Sequence, residues 1–159
     1  MDKEYDQIRI AELTGRYLPP DKIAALVHRN WPSDKWNILG QSVLGKPIYG
    51  IELGNGAKRV LMWSQMHGNE STTTKALLDL MHELKHSSAD LLNQVSLLLI
   101  PMLNPDGALD YTRFNASNKD LNRDALDLSQ PESVVLRKAF TDFSPHYCFN
   151  LHDQRTIYS

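Results

Sequence analysis

The chain has 159 residues, of which 42% are hydrophobic, and a formal net charge of −2. This length suits one globular domain, and the lack of any Lys or Arg run predicts no binding to nucleic acid or to an anionic membrane surface. No stretch reaches the roughly 20 apolar residues of a membrane span. Residues 1–6 lack the apolar core of a signal peptide, so we expect a cytoplasmic location.

The single cysteine, Cys148, excludes an internal disulfide bond. It lies between Tyr147 and Phe149 in an apolar run. This context predicts a core position for Cys148 and argues against a nucleophile.

The first part of the chain predicts an amino-terminal arm and helix over residues 1–34. Residues 1–18 are polar with scattered apolar positions, and Pro19-Pro20-Asp21 is typical of a helix start. An apolar stripe follows before Trp31-Pro32 ends the helix, and its members are Ile23, Leu26 and Val27. We expect the main domain to occupy residues 35–159.

Residues 36–63 predict the start of a sheet. Two short runs, 36–43 and 48–53, flank Leu44-Gly45-Lys46-Pro47 and indicate a hairpin. A second turn at Gly54-Asn55-Gly56 leads into an apolar strand at 60–63. Three strands joined by tight turns predict an antiparallel arrangement at this end of the sheet.

The next segment predicts a strand, a helix and a second strand. Residues 71–86 have helical periodicity, with one apolar face that consists of Leu77, Leu80, Met81 and Leu84. Val95 to Ile100 is almost continuously apolar, which indicates a strand covered on both sides. We therefore expect a right-handed parallel crossover and a mixed α/β sheet flanked by helices.

The remainder is a long polar segment followed by a helix and a last strand. Residues 101–130 are rich in turn residues, and a segment this long in a compact domain is more often functional than not. Pro131 begins a helix whose apolar residues are Val134, Val135 and Phe140. The run from Tyr147 to Leu151 predicts a buried strand that leads to His152.

Two histidines and a glutamate are expected to meet at one edge of the sheet. His67 and Glu70 follow the strand at 60–63, and His152 follows the last strand. Carboxyl ends of parallel strands share an edge, where α/β proteins place their sites. Imidazole and carboxylate are zinc ligands, and three protein ligands plus a water are typical of a catalytic zinc ion. Taken alone, Asn69-Glu70-Ser71 also fits an ordinary helix N-cap.

Several motifs occur in an order that resembles one known family. They are His67-Gly-Asn-Glu70, Asn104-Pro-Asp-Gly107, Arg113, Asp120-Leu-Asn-Arg123 and Leu151-His152-Asp153. The chain resembles the zinc carboxypeptidases, metallocarboxypeptidases that remove a carboxyl-terminal residue. The resemblance implies a mixed sheet with an antiparallel start and a parallel centre. It also implies that residues 35–159 are the amino-terminal part of a catalytic domain that is incomplete at its carboxyl end.

The resemblance also implies a role for each site residue. One zinc ion would be held by His67, Glu70 and His152, and Asp120 would orient His67. Arg113 would polarise the scissile carbonyl. Asn122 and Arg123 would bind the free carboxylate of a peptide or a small acylated amino acid.

One departure from the family pattern concerns the general base. Zinc carboxypeptidases use a glutamate base and a closing tyrosine from a segment well beyond the third ligand, whereas this chain ends seven residues after His152, at Ser159. We therefore expect metal binding with poor turnover by this chain alone. An uncovered sheet edge would also favour self-association.

Three alternatives remain open. The segment His82-Glu83-Leu84-Lys85-His86 matches the His-Glu-x-x-His pattern of other zinc proteases, although Lys85 and the lack of a nearby third ligand argue against it. Aspartoacylase-like deacylases share the His-x-x-Glu, Asn-Arg and later His elements, but the hairpin and the Asn-Pro-Asp-Gly segment favour a carboxypeptidase. The third alternative is a non-catalytic module that captures carboxyl termini through Asn122 and Arg123.

Overall fold

A computed structural model of the chain describes residues 5–87 and 89–153. Its helices are α1 (Tyr5–Ile8), α2 (Pro20–Asn30), α3 (Thr72–Ser87), α4 (Ala89–Leu92), α5 (Pro105–Leu109) and α6 (Pro131–Phe143), with a 3₁₀ turn at Leu121–Arg123. Its strands are β1 (Trp36–Gln41), β2 (Pro47–Gly54), β3 (Lys58–Trp63), β4 (Val95–Ile100) and β5 (Tyr147–Asn150). Within these residues, no helix combines the length and the apolar character needed to cross a membrane.

The described strands form one five-stranded mixed sheet in the order β1-β2-β4-β3-β5. The β1–β2 and β2–β4 pairs are antiparallel, and the β3–β4 and β3–β5 pairs are parallel. The predicted mixed sheet, with an antiparallel start and a parallel centre, is therefore confirmed, as is the parallel pairing of the two strands that flank α3.

The three strands joined by tight turns are not successive neighbours in the sheet, because β4 lies between β2 and β3. The glycine turn after β2 explains the difference. Asn55 and Gly56 donate backbone N–H bonds to Leu92 O and Val95 O, at the start of β4. A Cβ atom on Gly56 would lie 1.9 Å from the Gln94 carbonyl carbon. The turn therefore wraps around the entry to β4 and does not close a hairpin.

Apolar clusters cover both faces of the central strand. Leu97 and Leu99 pack in the cluster that contains buried residues of α2 and α3, and Leu98 and Ile100 pack in the cluster that contains buried residues of α6. This alternation follows from the two-residue period of a strand. It confirms the prediction that 95–100 is covered on both sides.

Two predicted helix faces are partly wrong. In α3, Leu80 is 38% exposed, whereas Leu78 is fully buried. The buried face is centred near Met81 and includes Leu78, which the sequence pattern left out.

In α6, Val135 is buried, but Val134 and Phe140 are each 48% exposed, because α6 packs through the side that carries Val135 and Ala139. The α2 stripe of Ile23, Leu26 and Val27 is buried as predicted.

The strand β5 is exposed along its whole length, which contradicts the prediction of a buried strand. Among the described strands it pairs with β3 alone, so it forms an edge of the sheet. Cys148 is consequently exposed and not in the core. Partial burial of its thiol nevertheless raises the pKa of Cys148, which reduces the thiolate fraction that a nucleophile requires. Self-association through this edge stays a prediction.

The two leucines of α3 offer a test of the packing. We expect Leu78→Ala to lower the free energy of unfolding by about 2–5 kcal/mol, because it removes a fully buried side chain and leaves a cavity. Leu80→Ala, two positions away, is the control and should cost less than about 1 kcal/mol. Urea denaturation of both variants measures the difference. Equal losses would contradict the observed orientation of α3.

Candidate metal centre

The loop after β3 is held by buried side-chain hydrogen bonds. Gln65 adopts a positive φ of 50° and is only 1% exposed. Its Nε2 donates to Gly68 O at 2.7 Å, and its Oε1 accepts from Thr74 Oγ1 at 2.7 Å. Ser64 Oγ donates to Pro101 O at 2.6 Å, just after β4. These bonds fix the loop between β4 and the start of α3.

The Asn-Pro-Asp-Gly segment packs directly against this loop. Asn104 Nδ2 donates to Met66 O at 3.2 Å, and Asn104 Oδ1 accepts from Gly107 N at 2.9 Å. A Cβ atom on Gly68 would lie 1.9 Å from the carbonyl carbon of Gly107. The two backbones therefore approach so closely that only glycine, which has no side chain, fits at position 68. This contact explains physically why the two motifs occur together.

His67, Glu70 and His152 converge beyond the carboxyl ends of β3 and β5. His67 Nδ1 lies 2.8 Å from Glu70 Oε1, and His152 Nδ1 lies 2.8 Å from Glu70 Oε2. One ligand atom from each residue can be chosen so that all lie within 4.8 Å of one another. His67 and Glu70 are buried, whereas His152 is exposed. The three residues predicted from the sequence are thus brought together by the parallel pairing of β3 with β5.

The donor set suits a zinc ion. A neutral imidazole carries one N–H, so only one ring nitrogen of His67 can donate. His67 Nε2 lies 3.0 Å from Asp120 Oδ1. If Nε2 carries the proton, the lone pair of Nδ1 faces Glu70 and is available to a cation. Two imidazole nitrogens and one carboxylate oxygen then form the three-ligand set that catalytic zinc sites use.

Arg113 and Asp120 form a charged pair beside the three ligands. Arg113 Nε and Nη2 donate to Asp120 Oδ2 at 3.2 and 3.0 Å, and Arg113 Nη1 lies 3.7 Å from Glu70 Oε1. Asp120 therefore contacts both His67 and the guanidinium. Asn122 and Arg123 follow on the 3₁₀ turn, which begins where Asp120 Oδ1 accepts from Asn122 N at 3.0 Å. The side chain of Arg123 is exposed.

The family model of the zinc carboxypeptidases matches residues 25–151 of this chain. The chain belongs to the zinc carboxypeptidase family.

The relatives that this chain resembles in sequence are matched over only part of their own length. A probable carboxypeptidase 2 of Arthroderma benhamiae is 34% identical over 98 residues, which are 60% of this chain and 19% of that protein. A gamma-D-glutamyl-L-diamino acid endopeptidase 1 of Lysinibacillus sphaericus is 36% identical over 80 residues, which are 43% of this chain and 20% of that protein. The chain thus spans about a fifth of the length of these relatives.

A solved structure shows the same fold. The metallocarboxypeptidase of Pseudomonas aeruginosa superimposes with a TM-score of 0.75 at 24% identity, over 89% of this chain and 41% of that chain. The chain therefore has the mixed α/β fold of the zinc carboxypeptidase family, and it spans about two-fifths of that solved enzyme.

Asp153 contacts the centre directly, although the sequence pattern predicts no role for it beyond its place beside His152. Its carboxylate oxygens accept from Thr72 N and Thr73 N, each at 2.9 Å, and its own N–H donates to Glu70 Oε2 at 3.2 Å. The sequence does carry one signal for this contact, since α3 has no acidic residue in its own first turn. Helix N-termini favour a carboxylate there, so a distant acidic residue could have been sought.

The alternative His-Glu-x-x-His segment is not part of this cluster. Among the described residues, the group able to hold a metal ion consists of His67, Glu70 and His152. His82 and Glu83 are half-buried on α3, and the side chain of His86 lies outside the described part of the chain.

The two carboxylates of the centre have lowered pKa values. Burial acts to raise the pKa of Glu70, but hydrogen bonds with His67 and His152 outweigh burial and leave the pKa lowered. Burial likewise acts to raise the pKa of Asp120, and hydrogen bonds with His67 and Arg113 reverse the direction. A lowered folded-state pKa adds stability that is present above the unfolded-state pKa. That stability is lost as the pH falls through the folded-state value.

The lowered pKa values of Glu70 and Asp120 predict that the metal-free protein loses stability in acid. We expect the free energy of unfolding to fall as the pH is lowered from about 7 to about 3, and to fall less steeply in Asp120→Asn, which cannot ionise. Asp34→Asn changes an exposed carboxylate and should keep the wild-type slope. Urea denaturation at several pH values gives the three slopes. An unchanged slope in Asp120→Asn would contradict the prediction.

Proposed function

We propose that this chain forms the zinc-binding part of a metallocarboxypeptidase, which hydrolyses the carboxyl-terminal peptide bond of its substrate. The observation that carries the proposal is the convergence of His67, Glu70 and His152, with the guanidinium of Arg113 beside Glu70. Membership of the zinc carboxypeptidase family supports the same reaction class.

His67, Glu70 and His152 would hold the zinc ion. The chemistry that a bound zinc ion would supply there is that of a Lewis acid, which would lower the pKa of a coordinated water to about 7. Asp120 Oδ1 would accept a hydrogen bond from His67 Nε2, which fixes the ring tautomer and increases the basicity of the opposite nitrogen. The carboxylate of Glu70 also accepts from Asp153 N at 3.2 Å, and a hydrogen bond to a carboxylate favours its ionised form.

Arg113, Asn122 and Arg123 would act on the substrate. The guanidinium of Arg113 is fixed by Asp120, so it can stabilise the negative charge that develops on the carbonyl oxygen in the transition state. Arg123 is exposed, and its planar guanidinium can donate two parallel hydrogen bonds to the terminal carboxylate. Asn122 can add a further donor from the same 3₁₀ turn.

The described residues supply no carboxylate that is suited to act as general base. Within 5–87 and 89–153, the carboxylates paired with His67, His152 or Arg113 are Glu70 and Asp120, and both are engaged in the contacts above. Glu132 is fully buried elsewhere and accepts from Val43 N at 3.2 Å. We infer that this chain alone binds metal and carboxylate but turns over slowly.

The same observation favours a second candidate, a module that binds carboxyl termini without cleaving them. The two candidates differ in turnover. Zinc-loaded chain incubated with a peptide should release its terminal residue, detectable by mass spectrometry, only if the chain is catalytic. His67→Ala, which removes a ligand, is the blank for that assay.

Zinc binding separates the proposed centre from the alternative on α3. We expect the wild type to bind one zinc ion and His67→Ala to lose it, because two ligands hold zinc far more weakly than three. His82→Ala is the matched control, since it removes a histidine of the other motif, and should keep the ion. Native mass spectrometry and competition with a chromophoric chelator measure both. Loss of zinc in His82→Ala alone would refute the proposed centre.

Recognition of a free carboxylate is tested with paired peptides. The zinc-loaded chain should bind a peptide with a free carboxyl end about tenfold more tightly than its carboxyl-terminal amide, because charge-assisted hydrogen bonds are lost in the amide. Arg123→Ala should abolish this preference. Arg137→Ala, at another exposed arginine, which donates to Ala125 O, should retain it. Isothermal calorimetry gives the affinities, and a preference that survives in Arg123→Ala would rule out the assigned role.

A further inference from the structure

The segment that carries His152 has Leu151 packed against the apolar cluster that contains residues of α2 and α3, but the strand before it is exposed. β5 is an exposed edge strand, and its pairing with β3 ends with the bond from Leu151 N to Trp63 O at 2.9 Å. His152 itself is exposed. The buried residues His67 and Glu70 are fixed by the loop and by α3, so His152 is the ligand whose position depends most on additional contacts.

Asp153 supplies those contacts through its side chain. One carboxylate oxygen accepts from Thr72 N and the other from Thr73 N, each at 2.9 Å. These amides belong to the first turn of α3, whose N–H groups have no partner within the helix. The bonds are charge-assisted and aligned with the positive end of the helix dipole, which makes them stronger than neutral ones.

The backbone of Asp153 acts on the centre as well. Its N–H donates to Glu70 Oε2 at 3.2 Å, and this same oxygen lies 2.8 Å from His152 Nδ1. Asp153 is therefore bonded to the helix that follows Glu70 and to Glu70 itself, while it is covalently attached to His152. Two of the three ligands are fixed relative to each other by this one residue.

We propose that Asp153 is a positioning residue for the metal centre, which holds His152 in place against the first turn of α3 before the metal binds. This inference rests on the proposed zinc site. It assigns no ligand role to Asp153, because both of its carboxylate oxygens are occupied by Thr72 and Thr73. Residues that orient metal ligands typically change metal affinity by 10–100-fold when they are substituted.

The test compares Asp153→Asn with a matched carboxylate elsewhere. The substituted amide keeps the size of the side chain but can accept from only one of the two threonine N–H groups, because its NH₂ group faces the other. Asp124 also accepts from two backbone amides, Ser129 N and Gln130 N, at the start of another helix. We expect Asp153→Asn to weaken Zn²⁺ binding by about 10–100-fold in chelator competition. Asp124→Asn should lower the melting temperature of the metal-free chain and leave the Zn²⁺ affinity unchanged.

A double-mutant cycle separates positioning from general destabilisation. In a His152→Ala background the third ligand is gone, so Asp153→Asn should cause no further loss of Zn²⁺ affinity. The visible absorption spectrum of the Co²⁺-loaded chain, which reports the ligand geometry, should change in Asp153→Asn and not in Asp124→Asn. Equal losses in both backgrounds would overturn the inference, as would wild-type affinity in Asp153→Asn.

The outcomes also separate this inference from the proposed function. If the wild type binds one Zn²⁺ ion, His67→Ala loses it and Asp153→Asn binds normally, then the zinc centre stands and the role of Asp153 is refuted. If the wild type binds no Zn²⁺, both proposals fail.

Discussion

The rest of the site depends on the contacts that the carboxylate of Glu70 makes with two histidines. One oxygen contacts His67 and the other contacts His152, so a single side chain joins the loop after β3 to the end of β5. In the metal-free protein, burial of Glu70 acts to raise its pKa, but these contacts outweigh burial and lower the pKa, so the carboxylate stays charged. A buried carboxylate is costly unless it is paired, and the two imidazoles together with Arg113 supply that pairing. The same geometry places nitrogen and oxygen donors around one point.

The surrounding chain is organised to hold this carboxylate in place. The loop after β3 packs closely against the Asn-Pro-Asp-Gly segment where Gly68 meets Gly107, and Asn104 bonds to the backbone of that loop. Asp120 connects His67 to Arg113 on the other side. The motifs are far apart in sequence, yet each one contacts a neighbour, which gives a physical reason for their occurrence together.

Much of this arrangement could be predicted from the sequence, and the reasons for the exceptions are specific. The apolar run of β4 and the stripe of α2 are strong local patterns, and both predictions are confirmed. The position of β4 between β2 and β3 depends on the glycine turn at 54–56, which packs against backbone that is distant in sequence. The exposure of Cys148 depends on β5 lying at the edge of the sheet, and an apolar run does not reveal its neighbours. The contacts of Asp153 are equally hidden, because Thr72 and Thr73 are 81 and 80 positions away.

The distance along the chain between the ligands has a consequence for how the site forms during synthesis. His152 follows Glu70 by 82 positions, and Asp120 follows His67 by 53. While the protein is being made, a chain still attached to the ribosome holds the first two ligands long before the third leaves the exit tunnel. The complete donor set is therefore unavailable to zinc until translation has passed residue 152, so the three-ligand centre cannot form earlier in synthesis.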